Sequence, residues 1–152
     1  MKTTVLTEIW MLHQRIILDA FTKISSDNHK NRLMPETASV GFIALHLAET
    51  MFFFSNMLFG TAMGFMPKTM RMADEGHPVD LDQVNTLVHQ AVDTLTTAIG
   101  QVTEEQWGEI VSGPLGDLSR MQGFVYMTHH NSHHIGQMVQ AMKKGKALVS
   151  NN

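Results

Sequence analysis

A length of 152 residues, a formal net charge of −3 and the absence of cysteine already exclude several kinds of protein. The chain is long enough to bury a core of its own, so we expect one domain spanning residues 1–152. Eleven Lys and Arg against 14 Asp and Glu leave no basic surface of the kind that binds nucleic acids. Without cysteine there are no disulfides or thiolate ligands, so a bound metal requires His, Asp or Glu.

Neither the N-terminus nor the most apolar stretch has the pattern of a targeting or membrane segment. Residues 1–14 contain one lysine and then Glu8, where a signal peptide stays apolar. Residues 50–67 are uncharged, but two glycines, Ser55 and Asn56 interrupt the apolar run. Such a stretch suits a buried helix that continues into a loop better than a bilayer span of about 20 residues. We therefore expect a cytoplasmic protein that does not associate with a membrane.

The first two predicted helices differ in how far apolar residues extend around them. Residues 3–25 show the 3.6-residue period of an amphipathic helix. Its predicted buried stripe comprises Val5, Ile9, His13, Ile16, Ile17, Ala20, Phe21 and Ile24. Residues 36–59 begin after Pro35 and are apolar on almost every face, which is typical of a helix at the centre of a fold.

A long connection separates the second and third predicted helices. Residues 60–78 contain three glycines and two prolines, and we expect an irregular segment with a short helix around 67–73. Connections of this length are often functional. The third helix is predicted at residues 80–100, with Asp80 as its N-cap and Gly100 at its end.

The C-terminal part of the chain completes a helical pattern. Residues 113–116 are predicted to form a loop, and Asp117 or Ser119 to cap a last helix at 119–143. Residues 150–152 are expected to be a frayed tail. Four long helices and no convincing strand predict an all-α protein with the architecture of a four-helix bundle.

The last predicted helix carries four histidines within six residues. Helical residues four positions apart lie on the same face, so His130 pairs with His134, and His129 with His133. The face of the first pair also carries Gly123, Met127, Met138 and Ala141. That face is the more apolar of the two, and we predict that His130 and His134 point into the interior. Two imidazoles at this spacing can chelate one metal ion.

A third ligand is needed for a firm site, and His46 is the best candidate because its apolar helix must pack against the others. Three neutral imidazoles that leave coordination positions open are typical of a catalytic metal, which lowers the pKa of bound water towards about 7. Glu49 lies one turn after His46. It is predicted to orient a ligand or to act as general base, although a buried Glu that merely pairs with a polar group fits the same pattern.

The remaining histidines and the motif's polar residues have simpler interpretations. His13 is expected to be a core histidine. Gln137 is expected to hydrogen-bond across the bundle, and Gly136 to let a neighbouring helix approach closely. Histidines assigned to the surface, an interface or a loop are His129, His133, His77, His89 and His29.

Two other chemistries of helical bundles suit the sequence less well. A di-iron carboxylate site requires several inward glutamates and two Glu-x-x-His pairs, whereas this chain has only the reversed order, His46 before Glu49. A haem site requires an axial His or Met, which the chain has, but clustered histidines at i and i+4 suit a small ion better.

The segment His130-Asn-Ser-His-His-Ile-Gly-Gln137 resembles the His-x-x-His-His-x-Gly-Gln motif in the last helix of the DinB/YfiT-like proteins. Their second helix also carries a histidine, in a segment similar to Leu45-His46-Leu-Ala-Glu49 followed by aromatic residues. The resemblance extends over nearly the whole chain. It implies an up-down-down-up four-helix bundle, usually a homodimer, with one divalent metal ion, nickel or zinc above all, on His46, His130 and His134.

The same resemblance implies a range of activities. Characterised members include thiol S-transferases that use bacillithiol or mycothiol and a maleylpyruvate isomerase, and many others are described as metal-dependent hydrolases. One hypothesis is therefore a metalloenzyme that activates water or a low-molecular-weight thiol. The alternative is a non-catalytic bundle that binds a metal or a partner protein, and a third is a protein whose histidines bind no metal.

Overall fold

The computed structural model describes residues 1–148, and four long helices make up most of this part of the chain. The helices are α1 (Lys2–Phe21), α2 (Val40–Phe59), α3 (Leu81–Gln101) and α4 (Arg120–Lys144). A 3₁₀ turn at Gln106–Gly108 and a hairpin of β1 (Ile110–Gly113) and β2 (Gly116–Ser119) lie between α3 and α4. The predicted tail at 150–152 lies outside the described residues.

The hairpin corrects the prediction that the chain has no strand. Ile110 pairs with Ser119, and Gly113 pairs with Gly116, in antiparallel register. The predicted loop at 113–116 is the turn of this hairpin, where Gly116 has a left-handed φ of 84° that glycine adopts without strain. Each strand has only four residues and none of them is buried. The sequence therefore lacks the alternation of a half-buried strand.

The helices α2, α3 and α4 begin directly after residues whose side chains cap their first turn, and Pro35 does not mark the start of α2. The predicted start of α2 at residue 36 is wrong, because Ser39 is the N-cap and its Oγ accepts from the Phe42 N–H at 3.3 Å. Asp80 caps α3 as predicted, accepting from the N–H groups of residues 82 and 83. Ser119, one of the two predicted caps, forms a capping box with Gln122.

The predicted buried stripe of α1 mixes two different faces. Leu6, Trp10, His13 and Ile17 are buried, whereas Val5, Ile9 and Ile16 are about half exposed. Both sets follow helical spacing, so the period alone does not tell which set faces the core. The helix also ends at Phe21, before the predicted limit of residue 25.

Helix α2 is the central helix of the protein. Fifteen of its 20 residues are buried, and it packs against both α3 and α4, which also contact α1. It is long and apolar enough to cross a membrane by length and composition, but 72% of its apolar 18-residue stretch is buried inside the protein. Burial among the other helices therefore accounts for its apolar surface, as the sequence predicted.

Contacts at the helix ends connect elements that are distant in sequence. Thr3, at the start of α1, donates to the carbonyl of Val102 after α3 at 2.8 Å. Arg120, at the start of α4, donates from Nε to the carbonyl of Leu58 near the end of α2 at 2.7 Å. Along the same contact, Gly123 lies so close to Leu58 that an added Cβ would overlap its side chain. The close approach predicted at Gly136 is wrong, since nothing in the described chain lies within 4 Å of a Cβ there.

Candidate metal centre

Three histidines from two helices meet where α2 packs against α4. One ring nitrogen each of His46, His130 and His134 lies within 4.8 Å of the others. The ring centroids of His46 are 5.5 Å from His130 and 4.8 Å from His134, and those of His130 and His134 are 4.5 Å apart. The structure thus brings together all three residues that the sequence predicted as ligands. Within residues 1–148, no other group of three His, Asp or Glu side chains is as suitably placed for a metal ion.

The meeting of these side chains follows from the packing of the two helices. Gly123 contacts Leu58, and the next layer pairs Tyr126 with Phe54 at a centroid distance of 5.9 Å. Successive contacts towards the C-terminus of α4 involve residues progressively nearer to the start of α2. Because side chains recur on one helix face every three to four residues, the following layers place the two α4 histidines opposite His46.

Hydrogen bonds fix the orientation of two of the three rings. His46 Nδ1 lies 3.2 Å from the hydroxyl of Thr69, and His134 Nδ1 lies 2.8 Å from Oε1 of Gln137. An amide oxygen only accepts, so the His134 Nδ1 carries the proton and its Nε2 keeps a free lone pair. Gln137 therefore supports a histidine one turn away on its own helix, and within residues 1–148 it does not form the predicted hydrogen bond across the bundle.

The third ring provides an independent test of whether a metal fits the cluster. His130 Nδ1 is buried and has no hydrogen-bond partner among residues 1–148. A buried polar atom without a partner is costly, by about 1–3 kcal/mol. Three neighbouring imidazoles, one with an unpartnered nitrogen, form a donor set that suits a borderline-soft divalent ion. The residues present fit a bound metal.

The electrostatics of the cluster favour neutral imidazoles. Burial lowers the pKa of His46 to about 4, and repulsion from His134 and His130 contributes to this shift. Burial also lowers the pKa of His130 to about 4, with a further contribution from His134, and burial lowers the pKa of His134. Neutral rings at pH 7 have the free lone pairs that a metal requires, so no proton has to be displaced before binding.

Glu49 is buried beside the cluster and is linked to it through the 60–78 connection. Its carboxylate accepts from the backbone N–H groups of Lys68 at 2.7 Å and Thr69 at 2.9 Å. It also accepts from the hydroxyl of Thr69 at 2.5 Å, the same hydroxyl that contacts His46. These contacts are those of a buried glutamate that pairs with polar groups, and they reach His46 only through the Thr69 hydroxyl. The predicted roles of Glu49 as an orienting residue or general base stay predictions.

The 60–78 connection also lines a cleft beside the histidines. In place of the predicted short helix, residues 69–72 form a turn in which the Met72 N–H donates to the Thr69 carbonyl, and Arg71 has a left-handed φ of 60°. The cleft has a volume of about 220 Å³ and is lined by Ala38, Phe42, Ile43, His46, Thr69, Arg71, Met72, His134 and Gln137. A larger cavity of about 500 Å³ lies near residues 29–32 and 76–79 and includes none of the three histidines. The candidate site is the smaller cleft, because two of the three proposed ligands, His46 and His134, line it.

Thr69 is the residue of the site that sequence reasoning missed. It lies 23 residues after His46 in an irregular segment, and no local pattern distinguishes it from the other threonines of the chain. By contrast, His129 and His133 are exposed, as expected. His13 is the predicted core histidine: it is buried, and its ring centroid lies 6.0 Å from that of Trp10.

Comparison with known proteins gives a family from the sequence and a similar fold from a solved structure. A family model described as the DinB superfamily matches residues 10–138. The crystal structure of a DinB-like protein, YjoA from Bacillus subtilis, is similar with a TM-score of 0.68. The similarity covers 91% of this chain and 90% of that chain at 14% sequence identity, which is a likeness of fold alone. No curated protein sequence matches this chain significantly.

Proposed function

The chain belongs to the DinB superfamily, and from its three-histidine cluster we propose that it is a divalent-metal-dependent enzyme acting on a small-molecule substrate. His46, His130 and His134 are the proposed ligands of one ion per chain. Nickel and zinc are the expected ions, since imidazole suits both. The observation that carries the proposal is the approach of three ring nitrogens to within 4.8 Å of one another beside a cleft.

The proposed reaction is hydrolysis, or transfer of a low-molecular-weight thiol to an electrophile. A divalent ion on three imidazoles keeps coordination positions open and favours the deprotonated form of bound water or thiol at neutral pH. Gln137 holds the ring of His134 through Nδ1 and leaves Nε2 free. Phe42 and Ile43 give the cleft an apolar wall, which suits the carbon skeleton of a substrate. Glu49 is proposed to act through the orientation of His46.

The first test is metal content, measured by elemental mass spectrometry on untagged protein purified without chelator. We expect about one equivalent per chain in the wild type, its loss in His130→Ala, and its retention in His129→Ala, an exposed neighbour on the same helix. Loaded protein is then screened for consumption of thiols with an electrophile, and for ester hydrolysis, with and without chelator. Failure to take up added zinc or nickel would contradict the proposal. Metal binding without any turnover would favour the non-catalytic alternative.

The up-down-down-up order of helix directions is part of the same proposal. It is supported by the contact of the start of α1 with the end of α3, and of the start of α4 with the end of α2. Each of these pairs is then antiparallel. Gly41, at the start of α2, lies against Val79, just before α3, which supports a parallel pair in the middle.

A cytoplasmic location is also proposed, and fractionation of cells that express the protein tests it.

We further propose that the protein is a homodimer in which α1 and α4 form the interface. Val5, Ile9, Leu12 and Ile16 follow one face of α1 and are 46–51% exposed. Neighbouring α4 has no charged Lys, Arg, Asp or Glu between Met121 and Met142. An exposed apolar face of this kind suits a two-fold interface between identical chains. Light scattering should give a dimer for the wild type and for Met11→Asp, on another face of α1, but a monomer for Ile9→Asp. A monomeric wild type would contradict this proposal.

A further inference from the structure

Three side chains form a directional chain of hydrogen bonds that runs from the imidazole of His46 through Thr69 to the carboxylate of Glu49. The hydroxyl of Thr69 lies 2.5 Å from Oε2 of Glu49 and 3.2 Å from Nδ1 of His46. In the described part of the chain, all partners of the Glu49 carboxylate are donors, namely two backbone N–H groups and this hydroxyl. The single hydroxyl proton of Thr69 therefore points to Glu49, and Thr69 Oγ1 faces His46 as an acceptor.

An acceptor opposite Nδ1 determines which nitrogen of a neutral imidazole carries the proton. The His46 Nδ1 donates to Thr69, so its proton is on Nδ1 and the lone pair is on Nε2. Neutral imidazole in water favours the opposite tautomer, with the proton on Nε2. The local hydrogen bonds of His46 thus select the less common form.

Burial makes this selection effective. Glu49 and Thr69 are each only 2% exposed, so bulk water is kept from offering the hydroxyl or the carboxylate another partner. The Glu49 carboxylate also binds the backbone of residues 68 and 69 and thereby fixes the position of the hydroxyl. His134 reaches the same tautomer by a different route, through the Gln137 amide on its own helix. Two of the three rings in the cluster are therefore held through Nδ1.

We propose that Thr69 is a positioning residue which, held by Glu49, keeps the proton of His46 on Nδ1 and presents Nε2 of His46 to the metal. This inference rests on the proposed function for its purpose, but the tautomer itself is a property of the metal-free protein. It also gives the 60–78 connection a specific role, because the packing of that segment against α2 determines which nitrogen of His46 is presented to the metal.

The tautomer is measured directly by long-range ¹H–¹⁵N correlation spectra of metal-free protein labelled with ¹⁵N-histidine, at a pH where the imidazoles are neutral. We expect the Nδ1–H form for His46 in the wild type and in Thr69→Ser, which keeps a hydroxyl. Thr69→Val should shift His46 to the Nε2–H form. Thr61→Val is the matched control, because it removes a hydroxyl of the same connection that bonds Asn56 and Ser55. An Nε2–H proton on His46 in the wild type would overturn the inference, whether or not any variant folds.

A second arm measures zinc affinity by competition with a chromophoric chelator. Loss of a group that orients a metal-bound histidine typically weakens affinity by about 10–100-fold, and we expect this for Thr69→Val with recovery in Thr69→Ser. Unchanged affinity in Thr69→Val would overturn the role in metal binding. If the tautomer shifts as expected but the wild type binds no zinc or nickel, the positioning of His46 stands and the proposed metalloenzyme fails.

Discussion

Helix α4 carries two pairs of histidines with the same spacing and opposite surroundings. His130 and His134 face His46 across the contact with α2, and burial lowers the pKa of both. His129 and His133, each one position earlier along the chain, are exposed. A step of one residue turns a helical side chain by about 100°, which is enough to move it from the interior to the solvent. Surroundings, rather than residue type, therefore distinguish a candidate ligand from a surface histidine.

The largest expected difference between the pairs is stabilisation by a metal. A ligand that binds only the folded state at about 1,000 times its Kd raises the free energy of unfolding by about 4 kcal/mol. We expect zinc or nickel to raise the Tm of the wild type and of His133→Ala by several degrees. The Tm of His134→Ala should be nearly unaffected. Equal shifts in the two variants, measured by circular dichroism, would remove the distinction between the inner and outer pairs.

Two glycines of α4 extend the comparison to the backbone. An added Cβ at Gly123 overlaps Leu58 of α2, whereas a Cβ at Gly136 meets nothing within 4 Å in the described chain. We expect Gly123→Ala to lower the free energy of unfolding by about 1–3 kcal/mol through overpacking. Gly136→Ala should raise it by up to about 1 kcal/mol because alanine favours a helix. Urea unfolding of both variants checks this, and equal effects would show that the close contact is not specific to the inner face.

A further expected effect is a dependence of stability on pH in the metal-free protein. In the unfolded chain His46 and His130 take up protons near their ordinary pKa of 6.5, but in the folded protein burial keeps them neutral until about pH 4. Between these values the unfolded chain binds more protons, so the free energy of unfolding falls as the pH falls from about 6.5 to about 4. The double variant His46→Ala, His130→Ala should show a shallower fall in urea unfolding. An identical slope would indicate that the inner histidines are not protected from protonation.

The sequence was most informative where function depends on residues close together in the chain. Helical spacing gave two pairs of histidines, and the apolar residues on one face identified His130 and His134 as the inner pair. An aspartate just before an apolar periodic segment identified Asp80 as the cap of α3. The apolar character of α2 made His46 the best third ligand. These predictions rest on the geometry of a single helix, which can be inferred from residues that are close together in the sequence.

Most other contacts between distant segments were beyond such reasoning. Thr69 reaches His46 only because the 60–78 connection folds back on α2, and a pattern within that connection does not encode where it docks. The buried face of α1 was misassigned because two apolar sets follow the same period, and the partner helices decide which set is covered. The near contact of α4 was assigned to Gly136 instead of Gly123 for the same reason, since both glycines lie in a helical pattern.

The most direct test of the metal centre is X-ray absorption at the metal edge of nickel- or zinc-loaded protein, with His130→Ala and His129→Ala in parallel. Imidazole rings give a characteristic multiple-scattering pattern that reports how many histidines bind the ion. We expect three imidazole ligands in the wild type and in His129→Ala, and fewer imidazoles or no bound metal in His130→Ala. A metal surrounded by oxygen ligands alone, or an identical spectrum in His130→Ala, would contradict a site built from His46, His130 and His134.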